Sequence, residues 1–213
     1  MTPARHFPAE ETLLAYVAGT LRPAEAAVVS AHVAMCPPSR EWVRALTHVG
    51  GAIIDDLPEA KMQPDALSLA LARIDADGGE AAFVPALNDM PELPEPLRHY
   101  ALTPWRTIAP GTRLRYIDVP RDGGCRVFLL KIDPGRKMPQ HTHAGIEMTC
   151  VLAGSFFDEN GHYGPGDFGE ADEEVNHRPV VDSDVPCICI VALDGQIKLP
   201  GPFGWLLQPF VRL

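Results

Sequence analysis

The 213-residue sequence lacks long hydrophobic runs, because no stretch of about 18 consecutive apolar residues occurs in it. We therefore expect no transmembrane helix and no membrane partner. The first residues, MTPARHFPAEE, have no apolar core and do not form a secretory signal. Positive charge is also scarce, since 18 Lys and Arg face 28 Asp and Glu, a formal net charge of −10. Phosphate binding needs a basic face, so we expect a cytoplasmic protein with no direct nucleic-acid contact.

Cysteine is rare, and its odd count of five argues against a disulfide framework in a chain without a secretory signal. We expect reduced thiols. Cys187 and Cys189 are two apart in the apolar run CICIVAL, so on a strand both side chains face the same side. The pair is either a redox or metal-sensitive dithiol, or two small apolar residues facing the core. We prefer the second interpretation.

The remaining pattern predicts a multidomain α + β protein. Apolar residues at helical spacing predict about four helices between residues 8 and 76, with Ser39 as the cap of the third. Prolines then become dense, which predicts a semi-extended linker. Short β runs separated by Gly, Pro and Asp follow, which indicates an all-β barrel or sandwich. The predicted division is a helical domain at 1–84, a linker at 85–104 and a β domain at 105–213.

The stretch from Gly135 to Gly154, GRKMPQHTHAGIEMTCVLAG, combines ligand-type side chains with strand spacing. His141 and His143 lie on one face of a strand, because side chains alternate with a period of 2. A turn at Ala144-Gly145 allows Glu147 to return to the same point. Two imidazoles and a carboxylate converging inside an apolar sheet predict a divalent metal.

The glycines and ligands of this stretch, with Gly166 and His177 further on, resemble the motifs of the cupin superfamily, a small β-barrel that holds one metal. The resemblance implies four ligands: His141, His143, Glu147 and His177. Three imidazoles and one carboxylate suit zinc, and they do not exclude Mn, Fe or Ni.

A second set of ligand types occurs in the helical part. His32 and Cys36 are one helical turn apart on one face. Together with His6 they resemble the zinc-binding anti-sigma domain, which implies a second zinc site. The position that should supply the fourth ligand, a cysteine, holds Ser39, and a hydroxyl is a poor zinc ligand beside a thiolate.

The helical domain, proline-rich linker and C-terminal cupin together resemble the ChrR family of anti-sigma factors over nearly the whole chain. This resemblance implies a regulator of transcription whose helical domain sequesters an extracytoplasmic-function sigma factor. The cupin domain would respond to an oxidative-type signal, with the linker letting the two domains move semi-independently. Residues 1–90 hold 6 Lys and Arg against 12 Asp and Glu, which suits a basic protein partner. The cupin resemblance also implies that two barrels can pair as a homodimer.

Two alternatives remain open. A three-histidine, one-glutamate cupin metal also supports dioxygenase-like or isomerase-like catalysis, for which Tyr163, Asp158 and Glu170 are the candidate acids and bases. The second alternative is a diverged cupin sensor that has lost sigma binding, as the serine at position 39 suggests.

Overall fold

Four helices occupy the N-terminal part of the chain, which confirms the predicted number. The computed structural model describes residues 3–76, 89–120 and 122–198. The helices are α1 Glu10–Val17, α2 Pro23–Met35, α3 Pro37–Asp55 and α4 Ala66–Ala76. None of the helices in these ranges is long and apolar enough to cross a bilayer.

Local sequence sets the helix ends. Gly19 follows α1 with φ +69°, a conformation that glycine adopts without strain. Pro23 occupies the first turn of α2, and the Glu25 carboxylate accepts a hydrogen bond from the Arg22 backbone N–H at 3.1 Å. The expectation that Ser39 caps α3 is wrong. The helix already begins at Pro37, so Ser39 lies inside its first turn, where its hydroxyl contacts His32 instead.

The C-terminal part is all β, as predicted. Its strands are β1 Arg106–Ala109, β2 Thr112–Tyr116, β3 Arg126–Ile132, β4 Thr142–His143, β5 Glu147–Ala153, β6 Phe156–Asp158, β7 Gly161–Tyr163, β8 Phe168–Ala171, β9 Val180–Val181, β10 Cys187–Leu193 and β11 Ile197–Lys198. Six of them form an antiparallel sheet in the order β1-β2-β3-β10-β5-β8. The shorter sheets β7-β6-β9 and β11-β4 complete the barrel.

Strand β10 separates two apolar cores, because every one of its residues is buried. Its inward side chains pack inside the barrel with the inner faces of β3 and β5: Cys187, Cys189, Val191 and Leu193. Its outward side chains Ile188, Ile190 and Ala192 pack with helix α2. A strand buried on both faces explains the unbroken apolar run CICIVAL. Helix α2 is therefore docked on the outer face of the barrel.

The proline-rich segment differs from the predicted semi-extended linker. Within residues 89–104, Leu93 and Leu97 are fully buried in the core shared with α2, and a 3₁₀ turn spans Glu95–Leu97. The prolines exclude regular helices, but Leu97 within this turn and Leu93 just before it still bury their side chains. The segment joins the helical domain to the barrel instead of leaving both semi-independent, while the predicted domain boundaries stay predictions.

Candidate metal centre

Three histidines of the barrel come together: His141 and His143, which the strand spacing predicts on one face, and His177, which the cupin resemblance implies. One ring nitrogen from each of His141, His143 and His177 lies within 4.8 Å of the others. All three residues are buried. Among the described residues, no other three His, Cys, Asp or Glu side chains form such a group.

Backbone pairing positions these side chains. His141 and His177 form an antiparallel bridge and exchange two hydrogen bonds of 3.1 Å, which places their rings side by side. His143 lies on β4 opposite Ile197, and Glu147 opens β5 after the predicted turn. The glycine that ends β5 has a structural reason. Gly154 has φ +70°, and a Cβ there would lie 2.7 Å from the Pro186 carbonyl oxygen.

Two hydrogen bonds from residues outside the cluster orient the rings of His141 and His177. The Nδ1 of His141 lies 2.8 Å from the carbonyl oxygen of Pro139, and the Nδ1 of His177 lies 2.9 Å from the Asp158 carboxylate. Because both partners accept, each Nδ1 carries the proton and each Nε2 keeps its lone pair. These two Nε2 atoms are 3.1 Å apart. Nitrogens bound at 2.0–2.1 Å to one tetrahedral zinc would be separated by about 3.3 Å, so the spacing suits a shared metal.

His143 supplies the strongest indication of a cation site. Its side chain is fully buried, and neither ring nitrogen makes a well-directed hydrogen bond, although the Glu147 carboxylate and the Asp172 backbone lie near enough to raise its pKa. The Glu147 carboxylate lies 3.2 Å from the His143 Nε2, but the direction of this contact is poor for a hydrogen bond. A buried polar atom without a well-directed hydrogen bond is costly, and a divalent cation between these groups would remove that cost. The donor set therefore fits a metal.

The electrostatics of His141 and Glu147 agree with a cation site, whereas the raised pKa of His143 favours its protonated ring. Burial lowers the pKa of His141, which favours the neutral ring that a metal needs. Burial also lowers the pKa of His143, but the Glu147 carboxylate outweighs it and leaves this pKa raised. For Glu147, burial raises the pKa, and His143 with the other histidines lowers it below its usual value. The carboxylate is thus held in its charged form, as a ligand requires.

The cavity beside the histidines has a volume of about 90 Å³ and is also lined by Cys187 and Cys189. Their sulfur atoms are 3.7 Å apart, so the predicted shared face is correct. The Cys187 thiol and burial together raise the pKa of Cys189 well above its usual value, which keeps its thiol protonated. Their position inside the barrel suits the core interpretation, and a redox role for the pair stays a prediction.

The residues predicted for the helical zinc site do not gather. Both ring nitrogens of His32 are hydrogen-bonded at 2.7 Å, one to the Ser39 hydroxyl and one to the Gly166 carbonyl oxygen. The His6 ring stacks on Tyr163 at 4.2 Å, and its Nε2 contacts the carbonyl oxygen of His162. Cys36 is buried between α2 and α3.

Sequence reasoning missed the roles of two carboxylates. Asp158 is a candidate acid or base only in the enzyme alternative, and in the structure its carboxylate orients the ring of His177. Asp167, which accepts backbone hydrogen bonds from Arg5, His6 and Gly164, was not anticipated. Only Gly164 lies close to it in sequence. Partners 19 to 162 residues apart leave no periodic signal in a single sequence.

Family models match two parts of the chain: the ChrR Cupin-like domain over residues 95–196 and a zinc-finger family over residues 9–38. Anti-sigma-E factor ChrR of Cereibacter sphaeroides is 34% identical over 214 residues, which cover 98% of this chain and 99% of that protein. A crystal structure of Rhodobacter sphaeroides SigE in complex with the anti-sigma ChrR is 33% identical with a TM-score of 0.75. That match covers 90% of this chain and 100% of the solved chain.

A small helical domain docked on a cupin-like barrel with a buried histidine cluster defines a two-domain cupin protein. The sequence identity, which extends over 98% of the chain, identifies the family more specifically than the fold does. This chain belongs to the ChrR family of anti-sigma factors, which confirms the family and fold that the sequence motifs indicated.

Proposed function

We propose that this chain sequesters an extracytoplasmic-function sigma factor through α1, α3 and α4. We also propose that a metal in the barrel changes the affinity of the helical domain for that sigma factor. The family membership supports the first part, since the similar solved chain was crystallised with SigE. We place the chain in the cytoplasm, where such a partner acts. Pairing of two barrels stays a prediction.

The observation that carries the proposal is the uncovered apolar face of the helical domain. On α3 the side chains of Trp42, Val49 and Ile53 follow helical spacing, yet each is more than half exposed. Helix α4 has no buried residue at all, although it carries Leu67, Leu69, Leu71 and Ile74. Short helices are stabilised mainly by packing of their apolar face, so these helices need a partner.

A groove of about 620 Å³ between α1 and α3 continues this face. Leu13, Leu14, Trp42 and Leu46 line it together with the exposed Glu10 and Glu11. An apolar groove that also carries two exposed carboxylates suits a basic protein partner, because exposed charges steer association and desolvated apolar contacts supply affinity.

Two valines of equal exposure make a matched test. Val49 on α3 is 57% exposed, and Val185 on the barrel is 56% exposed. We expect Val49→Ala to weaken binding to the sigma factor encoded beside this gene, measured by calorimetry, whereas Val185→Ala leaves it unchanged. Trp42→Ala should cost about 2 kcal/mol of binding free energy or more, since buried aromatic anchors dominate interfaces. If the purified chain does not bind that sigma factor, the diverged-sensor alternative replaces this proposal.

For the barrel we propose a divalent metal, zinc in the first instance, held by His141, His143, Glu147 and His177. The nitrogens of His143, which lack well-directed hydrogen bonds, and the facing Nε2 atoms support this set. The metal would join β4, which carries His143, to β5 of the six-stranded sheet, which carries Glu147, beside the cavity lined by Cys187 and Cys189. We expect hydrogen peroxide to shorten the lifetime of the sigma complex, and His143→Ala to remove that response.

The enzyme alternative has less support from the geometry. Asp158 is already bonded to His177, and Tyr163 is stacked between His6 and Phe156. A cavity of about 90 Å³ is small beside the 300–1,000 Å³ of typical small-molecule sites. Turnover of a small diketone, thiol or sugar by the metal-loaded chain would favour the enzyme.

A further inference from the structure

The helical domain contains a closed hydrogen-bond cluster where its family match implies zinc. His32 is completely buried, and its Nδ1 lies 2.7 Å from the carbonyl oxygen of Gly166. A carbonyl only accepts, so Nδ1 donates, and in the neutral ring Nε2 is left to accept the Ser39 hydroxyl at 2.7 Å. The lone pair that a zinc ion would need is thereby used by a hydroxyl proton.

The other residues predicted as zinc ligands do not make up for the loss of the His32 lone pair. His6 reaches the barrel, where its ring stacks on Tyr163 and its Nε2 contacts the His162 carbonyl oxygen. A structural zinc site is closed by four ligands, and a hydroxyl does not substitute for a thiolate. The residues present here therefore do not fit the metal.

We propose that the helical domain of this chain holds no zinc and that His32 takes over the metal's structural role through two hydrogen bonds. The bond to Ser39 joins α2 to α3, and the bond to Gly166 joins both helices to the turn before β8. This inference does not depend on sigma binding.

The turn that receives His32 is itself anchored to the N-terminus. Next to Gly166, the Asp167 carboxylate accepts the backbone N–H of His6 at 2.9 Å and that of Gly164 at 2.7 Å. The Phe168 N–H in turn donates to the carbonyl oxygen of His6. His32 thus contacts the point where helical domain, N-terminal segment and barrel meet.

The first test counts zinc in the full chain with His141→Ala and His143→Ala, loaded with excess zinc and desalted. We expect less than roughly 0.1 equivalent, because one of the two thiolate positions holds Ser39 and both nitrogens of His32 are hydrogen-bonded. About one equivalent that a further Cys36→Ser removes would overturn the proposal.

Cobalt(II) loading of the unmodified full chain gives a second readout that does not rely on those variants folding. The predicted barrel ligands are nitrogen and oxygen, so a thiolate-to-cobalt absorption that Cys36→Ser abolishes would report a helical site. We expect no such absorption, and its presence would contradict the proposal.

The hydrogen bond itself is tested by Ser39→Ala in the full chain, which leaves the buried Nε2 without a donor. We expect the thermal midpoint to fall by roughly 2–10 °C, equally with zinc and with chelator. Ser68→Ala is the matched control, since that hydroxyl also donates one hydrogen bond, to the Asp65 carbonyl oxygen, but on an exposed helix. An unchanged midpoint in Ser39→Ala would show that the bond does not stabilise the fold.

Discussion

The histidine cluster of the barrel and the buried hydrogen-bond cluster around His32 differ in what their ring nitrogens contact. In the barrel, the Nε2 atoms of His141 and His177 face each other, and both nitrogens of His143 lack well-directed hydrogen bonds. In the helical domain, both nitrogens of His32 are hydrogen-bonded. Burial and residue type are therefore not enough to recognise a metal site. Free lone pairs that converge on one point distinguish the first cluster from the second.

The difference arises from the neighbours of each ring. In the barrel the acceptors, the Pro139 carbonyl and the Asp158 carboxylate, occupy Nδ1 and direct Nε2 inward. In the helical domain Ser39 supplies a donor to the second nitrogen, which closes the cluster. One hydroxyl in place of a thiolate thus changes a metal ligand into a hydrogen-bond acceptor.

The largest effect should follow from His143→Ala, which removes the ring without well-directed hydrogen bonds from the barrel cluster. We expect zinc affinity to fall by more than the roughly 10–100-fold that loss of an outer partner causes. Competition with a chromophoric chelator measures this. His162→Ala is the control, because His162 pairs with Asp182 outside the cluster. Equal zinc affinity in both variants would show that His143 is not a zinc ligand, and the barrel cluster would then no longer differ from the cluster around His32.

Asp158→Asn should act more weakly, through His177. The amide still accepts the Nδ1 proton but lacks the charge that strengthens the ring as a ligand, so we expect a roughly 10–100-fold loss of zinc affinity with unchanged stoichiometry. Asp182→Asn, which alters the similar contact with His162, should change nothing. A result in which Asp158→Asn binds zinc like the parent would show that the contact is only structural.

Asp167→Asn probes the turn that His32 contacts. The carboxylate accepts backbone hydrogen bonds from Arg5, His6 and Gly164, and the amide can satisfy fewer of them. We expect the free energy of unfolding in urea to fall by about 1–3 kcal/mol, with zinc affinity unaltered. Exposed Asp184→Asn serves as the control. Lost zinc in Asp167→Asn would mean that the two clusters are coupled.

The smallest effect is expected for Cys36→Ala. If Cys36 is a buried apolar residue and not a ligand, its loss costs about 1 kcal/mol of unfolding free energy from a small cavity. Zinc content should stay the same, as elemental analysis would show. A drop of one zinc per chain would contradict the closed cluster in the helical domain.

Much of the fold could be predicted from short-range patterns. The two-residue spacing of His141 and His143 and the run CICIVAL reflect strand geometry, and Gly19 and Pro23 mark helix ends. The exposure of the α3 apolar stripe could not be predicted, because spacing shows that side chains share a face but not what covers it. The burial of Leu93 in the proline-rich segment could not be predicted for the same reason.

The sequence by itself determined the helices, the main β runs and the set of residues that bear ligand atoms, since these depend on neighbours within a few positions. Only the tertiary structure decided which of those atoms keep a free lone pair. His141 meets His177, and His32 meets Gly166, across separations of 36 and 134 residues. Hydrogen-bond partners brought together over such distances determine whether a buried histidine is available to a metal.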